Sequence, residues 1–138
     1  MTYIVNWISK NIGRYCIKKQ IGIGSTSKIF LAQDEKGKQF SIKMYYNNYK
    51  SQFENEVNIL NSIDGEHFPK VIDTLQYKDY NCIVFPYYNN KDVFDTIVPQ
   101  LPITDDVIME NIAKMAKPIY DLHQYNIAHL DIKMENYL

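Results

Sequence analysis

Ile127-Ala128-His129-Leu130-Asp131-Ile132-Lys133-Met134-Glu135-Asn136 is the stretch on which the reading of this chain turns. Its last eight residues carry an imidazole, a carboxylate, an ammonium and an amide in the order His-x-Asp-x-Lys-x-x-Asn. Such a loop offers a proton acceptor, a cation for phosphate oxygens and an oxygen donor for a hard metal ion from one short piece of backbone. A polar loop of no special purpose is the alternative, and this order and spacing is a rare outcome for one.

Upstream of the loop the pattern is helical. Thr104, followed by Asp105 and Asp106, reads as an N-cap. Ile108, Ile112, Met115, Ile119 and Leu122 then recur at intervals of three and four, which predicts a helix over 104–125. Pro118 lies inside it and predicts a kink. From Arg14 to about Phe85 the pattern is that of strands, at 15–21, 28–33, 39–46, 71–77 and 81–85. One helix, 51–63, interrupts them, with Phe53, Val57 and Leu60 on its apolar face. Asp34-Glu35-Lys36-Gly37-Lys38 reads as a hairpin connection in which Gly37 supplies a positive φ.

Three features of the β-rich part carry chemistry. Gly22-Ile23-Gly24-Ser25-Thr26-Ser27 joins two strands, and glycines there let backbone amides approach phosphate without a side chain between. A plain hairpin turn fits the same residues. A dinucleotide-binding turn does not, because strand rather than helix follows, and no Gly-Lys-Ser/Thr ending makes it a P-loop. Lys43 ends the third strand and reads either as a solvated strand end or as a charged partner for something nearby. Glu56 lies between Phe53 and Leu60 on the apolar face of the 51–63 helix, where a carboxylate needs a partner or a wet edge. Lys43 is the obvious partner.

Composition narrows the function classes. The 138 residues are 46% hydrophobic and 22% charged with a net charge of −1, values of a globular chain and not of a nucleic-acid-binding surface. Cys16 and Cys82 lack metal-ligand spacing and read as buried free thiols. Residues 1–10 have neither the basic start nor the apolar run of a signal peptide, and no stretch is long enough to span a membrane. The expectation is an intracellular, cytoplasmic chain with no membrane or nucleic-acid partner.

Taken in order, the glycine turn, Lys43, Glu56 and the His-x-Asp-x-Lys-x-x-Asn loop resemble the eukaryotic-type protein kinases, from about Arg14 to the end of the chain. The resemblance implies an α+β fold: a kinase N-lobe of five antiparallel strands plus one helix, then the first helices of the C-lobe. It divides the chain into an N-terminal extension at 1–13, N-lobe and hinge at 14–88, and partial C-lobe at 89–138. It implies ATP and Mg2+ as cofactors and a protein substrate. In that family Gly22 and Gly24 would lie over the ATP phosphates and Ile29 would pack on the adenine. Lys43 would hold the α- and β-phosphates and pair with Glu56. Phe85 would stand at the back of the pocket, the Pro86 carbonyl and Tyr88 amide would meet the adenine edge, and Asp92 would contact the ribose. Asp131 would take the proton of the attacking hydroxyl, Lys133 would contact the γ-phosphate, Asn136 would bind a magnesium, and Leu138 would floor the adenine pocket. Leu60 and His129 match hydrophobic-spine positions, and Lys133 is the serine/threonine-kinase choice.

The departures are specific. Ser27 stands for the third glycine, Ser41 for the alanine against adenine, and Pro86 for a hinge acid. Leu130 replaces the arginine of His-Arg-Asp, so control through a phosphorylated activation loop is not expected. No Asp-Phe-Gly follows Asn136, which reads as a kinase sequence truncated after the catalytic loop and inactive alone. Its 104–125 helix would be partly exposed, and self-association through it or a complementing C-lobe would cover it. Two other functions fit: a non-catalytic kinase-derived module that binds nucleotide or protein, and a small-molecule kinase of the aminoglycoside or choline type. Lys133 with Ile29, Lys43 and Glu56 favours the protein kinase.

Overall fold

Alternation along the first two thirds of the chain builds one sheet with two unlike faces. The computed structural model describes residues 6–89 and 92–137. Expectations that fall on residues 1–5 and on Leu138 lie outside them. Two compact units divide the described residues, one running up to Tyr87 and one starting at Tyr88.

The first unit is an antiparallel sheet in the order β1-β2-β3-β4-β6-β5. Its strands are β1 (Asn11–Ile12), β2 (Tyr15–Ile23), β3 (Ser27–Gln33), β4 (Gln39–Tyr45), β5 (Asp73–Tyr77) and β6 (Tyr80–Pro86), with helix α1 (Lys50–Ser62) between β4 and β5. The five expected strands are present, and β1 adds a sixth too short for any periodicity to announce. The β3–β4 connection follows its sequence: Asp34 Oδ1 accepts from the amides of Lys36 and Lys38 at 2.9 Å each, and Gly37 takes φ +78°.

Because side chains alternate along a strand, each run supplies both faces. Phe30, Ala32, Phe40, Ile42, Met44, Cys82 and Val84 point one way and form the larger core with Tyr15 and Ile17. Tyr45, Ile83 and Phe85 point the other way, and Phe53, Val57 and Leu60 of α1 pack on them. Burial pushes the Cys82 thiol up to about 12, so it stays protonated. Cys16 is only half-buried, against expectation, because it alternates with Tyr15 and Ile17 and so faces away from the larger core.

The expected N-terminal extension is structural from Trp7 onward. Trp7 is 6% exposed, with its ring 5.9 Å from Phe30, 5.7 Å from Tyr77 and 5.3 Å from Tyr80, centroid to centroid. Backbone bonds from Ser9 N to Ile17 O at 2.8 Å and from Ile17 N to Lys10 O at 2.9 Å lay this segment along β2. Ile12 is fully buried.

The second unit holds a short helix α2 (Val93–Ile97) and the long helix α3 (Asp105–Gln124). Thr104 is the N-cap residue of α3, yet its hydroxyl makes no capping bond. Asp105 and Asp106 in the first turn supply the negative charge the helix N-terminus favours. The helix continues through Pro118. Ile108 is 38% and Ile112 53% exposed, and Met115 and Ile119 are half-buried. Leu122 was expected to be exposed with them but is buried, at the point where Ile127 N turns back to bond its carbonyl at 3.2 Å. Among the described residues, no helix is long and apolar enough to cross a membrane.

Candidate functional site

Register places the expected residues of the first unit in one row. Gly22 pairs with Ile29, Ile29 with Lys43, and Lys43 with Ile83, across β2, β3, β4 and β6. Two residues on, Leu31, Ser41 and Phe85 form the next row of the same face. The α1 face of the sheet therefore carries Ile29, Lys43 and Phe85 together. Glu56 meets it from α1: Lys43 Nζ lies 2.6 Å from Glu56 Oε2, with about a quarter of each side chain exposed, 26% and 28%.

Tyr45 is a third member that the sequence reading missed. Its hydroxyl donates to Glu56 Oε2, the oxygen that Lys43 also binds. Burial first, and then the bond to Glu56, push its phenol well above the usual tyrosine range, so it remains a donor throughout the physiological range.

The β2–β3 turn closes with Gly24 N bonding Ser27 O at 2.8 Å. Gly24 does not take a positive φ, and a Cβ built there would meet only Ser27 O, at 3.7 Å. Neither backbone conformation nor crowding within the chain requires glycine at this position. Gly24→Ala is therefore expected to leave thermal stability unchanged or raise it by about 0.4–1 kcal/mol, since alanine lowers the conformational entropy of the unfolded chain. Nucleotide affinity, measured on the same sample, is expected to fall.

Ser41 Oγ donates to the Pro86 carbonyl at 3.4 Å, so the oxygen expected at an adenine edge already has one weak partner. A concavity of the first unit, about 300 Å³, lies elsewhere, beside Arg14, Cys16, Asp34 and Glu35. It contains none of the expected site residues.

In the second unit, α3 ends with Asn126 at φ +57°, a left-handed C-terminal turn that asparagine tolerates. The loop that follows gathers its polar groups. Asn136 Nδ2 donates to Asp131 O at 2.8 Å and to Asp131 Oδ2 at 3.2 Å, and Lys133 Nζ stands 3.5 Å from the same Oδ2. The Asp131 amide donates to His129 Nδ1 at 3.2 Å, and His129 is exposed. Leu130, between them, takes φ +65° with its side chain 92% exposed. That backbone costs a non-glycine residue about 1–2 kcal/mol, and no packing offsets it. Tyr137, which the sequence did not single out, ties the loop down. Its hydroxyl donates to Met115 O in α3 at 3.1 Å, and its carbonyl accepts from Val93 N in α2 at 2.9 Å. Asp92 caps α2, with Oδ1 accepting from Asp95 N at 2.8 Å. Tyr88 is exposed at 44%.

Together these parts define a class: a kinase-like α+β fold, with one helix on one face of an antiparallel sheet and a helical unit ending in a His-x-Asp-x-Lys-x-x-Asn loop. The chain belongs to the protein kinase family, whose protein kinase domain pattern matches residues 15–138. A probable serine/threonine-protein kinase of Dictyostelium discoideum is 31% identical over 140 residues, covering 97% of this chain and 22% of that protein. A carbon catabolite-derepressing protein kinase of Candida albicans is 28% identical over 137 residues, covering 94% and 22%. Thus the chain spans 22% of the length of each of these relatives. The crystal structure of the Mycobacterium tuberculosis PknI kinase domain superposes with a TM-score of 0.71 at 14% identity, over 93% of this chain and 55% of that one, which is a likeness of fold.

Proposed function

We propose that this chain is the nucleotide-binding and catalytic-loop part of a serine/threonine-type protein kinase, binding ATP with magnesium for phosphoryl transfer to protein hydroxyls. The observation that carries the reading is the 2.6 Å contact between Lys43 Nζ and Glu56 Oε2 on the face that also holds Ile29. An ammonium braced by a carboxylate is fixed where phosphate oxygens can meet it. Gly22 and Gly24 leave backbone room for those phosphates, Ile29 packs on the adenine, and Pro86 and Tyr88 offer their carbonyl and amide to its edge. Asp92 is the ribose-contacting acid of this reading.

In the loop, Asp131 takes the proton of the attacking hydroxyl and Lys133 faces the γ-phosphate. Because the Asn136 NH2 donates to Asp131, its Oδ1 is the atom that would serve as an oxygen donor to magnesium. When bound, the ion would neutralise charge on the phosphates. An intracellular setting belongs to the same reading, supported by the free thiols of Cys16 and Cys82.

The test is calorimetric. Lys43→Met is expected to weaken ATP binding about ten-fold or more, the worth of one charge-assisted hydrogen bond. Adenosine affinity should change little. Equal losses for the two ligands would remove Lys43 from the phosphate site.

A further inference from the structure

We propose that Tyr45 is a positioning residue of the phosphate-binding lysine, with its hydroxyl clamping Glu56 so that α1 stays docked on Lys43. The inference rests on the ATP-binding reading above and adds a group to it. Lys43 and Tyr45 are two apart on β4 and so share the α1 face. Tyr45 is 2% exposed, and its hydroxyl donates to Glu56 Oε2. Its ring does two further things: it lies beneath Lys43 Nζ, 5.1 Å from ring centroid to nitrogen, and it meets Phe53 of α1 edge-on at 6.0 Å.

One side chain therefore touches both members of the ion pair and the helix that carries one of them. The geometry also divides the labour. Lys43 is long and flexible, and a lone contact to Glu56 leaves its ammonium a cone of positions. A buried phenol has two side-chain torsions, and packing against Phe53 holds both. Through Tyr45, the carboxylate position is set by the sheet rather than by the lysine it must orient. When phosphate oxygens draw Lys43 forward, Glu56 retains a partner and does not swing into water. Glu56 is the only residue of α1 whose side chain bonds to the sheet among the contacts of the described residues, so its anchoring fixes the approach of the helix.

Tyr45→Phe deletes the hydroxyl and keeps the ring, the cation contact and the Phe53 packing. Calorimetry of the full chain with magnesium-ATP and with adenosine should show the ATP Kd rising about five-fold, roughly the 1 kcal/mol of one hydrogen bond, with adenosine unchanged within about two-fold. The double variant Tyr45→Phe/Glu56→Leu should lose no more ATP affinity than Glu56→Leu alone, because leucine already leaves the hydroxyl nothing to hold. If Lys43→Met separates ATP from adenosine while Tyr45→Phe does not, or weakens both ligands equally, the hydroxyl has no positioning role and the clamp is overturned. If Lys43→Met also fails to separate them, the ATP-binding reading beneath it falls as well. Should Tyr45→Phe not fold, amide exchange in the nucleotide-free chain decides. Glutamine at 56 still accepts from Tyr45 and leucine does not, so α1 amides should stay protected in Glu56→Gln and exchange faster in Glu56→Leu. Equal protection in the two overturns the proposal.

Discussion

Incubated alone with magnesium-ATP and a generic basic protein, the 138-residue chain is expected to transfer phosphate far more slowly than 1 s⁻¹, the low end for kinases at about 1–100 s⁻¹. Asp131, Lys133 and Asn136 are gathered in one loop, with Asn136 Nδ2 2.8 Å from Asp131 O. Positioning the attacking hydroxyl is nevertheless only part of the work. Phosphoryl transfer leans on a metal that bridges the phosphates, and kinases hold it with an Asp-Phe-Gly aspartate as well as the loop asparagine. These residues contain the asparagine and no Asp-Phe-Gly. Radiolabelled transfer run beside Asp131→Asn measures the effect. Turnover near 1 s⁻¹ that the substitution abolishes would show that the loop suffices. Transfer that appears on adding a downstream kinase lobe, joined or as a second chain, is the expected complement, since such a lobe supplies both the aspartate and a seat for the peptide.

Trp7→Ala is expected to cost about 3–5 kcal/mol, as for large aromatic truncations in packed cores. That is a large share of a domain's net stability of about 5–15 kcal/mol. The residue is 6% exposed and packs on Phe30, Tyr77 and Tyr80, which come from β3, β5 and the start of β6. Its loss opens a cavity bounded by three strands of a rigid sheet, which closes poorly. Urea unfolding followed by circular dichroism checks it. A loss below about 1 kcal/mol, the range of surface substitutions, would mean that residues 6–12 rest on the sheet without being part of its core.

Why the sequence leaves Trp7 in an extension is instructive. A lone tryptophan followed by Ile8, Ser9 and Lys10 has neither a period of two nor of three and a half, so no local pattern reports it. Its burial arises from β5 and β6, some seventy residues away, which join the sheet beyond β4 and bring Tyr77 and Tyr80 to its ring. Tyr45 is hidden differently. It continues an alternating strand, and a tyrosine at the end of such a run reads as an ordinary β residue. Only the docking of α1 across β4 brings Glu56 to its hydroxyl. Tyr137 follows the same logic, because its partners Met115 and Val93 meet it through the reversal of the chain after α3.

The strands, both long helices, the Gly37 turn and the family were legible in the residues themselves, because period, turn chemistry and the order of a polar loop are properties of neighbouring positions. The apolar face of α1 foretold that Glu56 needs a partner, since desolvation of a carboxylate is a local cost whatever the fold. Which groups meet that need was decided by tertiary structure. Alternation along β4 put Lys43 and Tyr45 on one face, but only the docking of α1 chose that face and brought Glu56 to both. The same holds for Leu122, which a helical stripe marks as apolar together with Ile108 and Ile112 but which, unlike them, is buried.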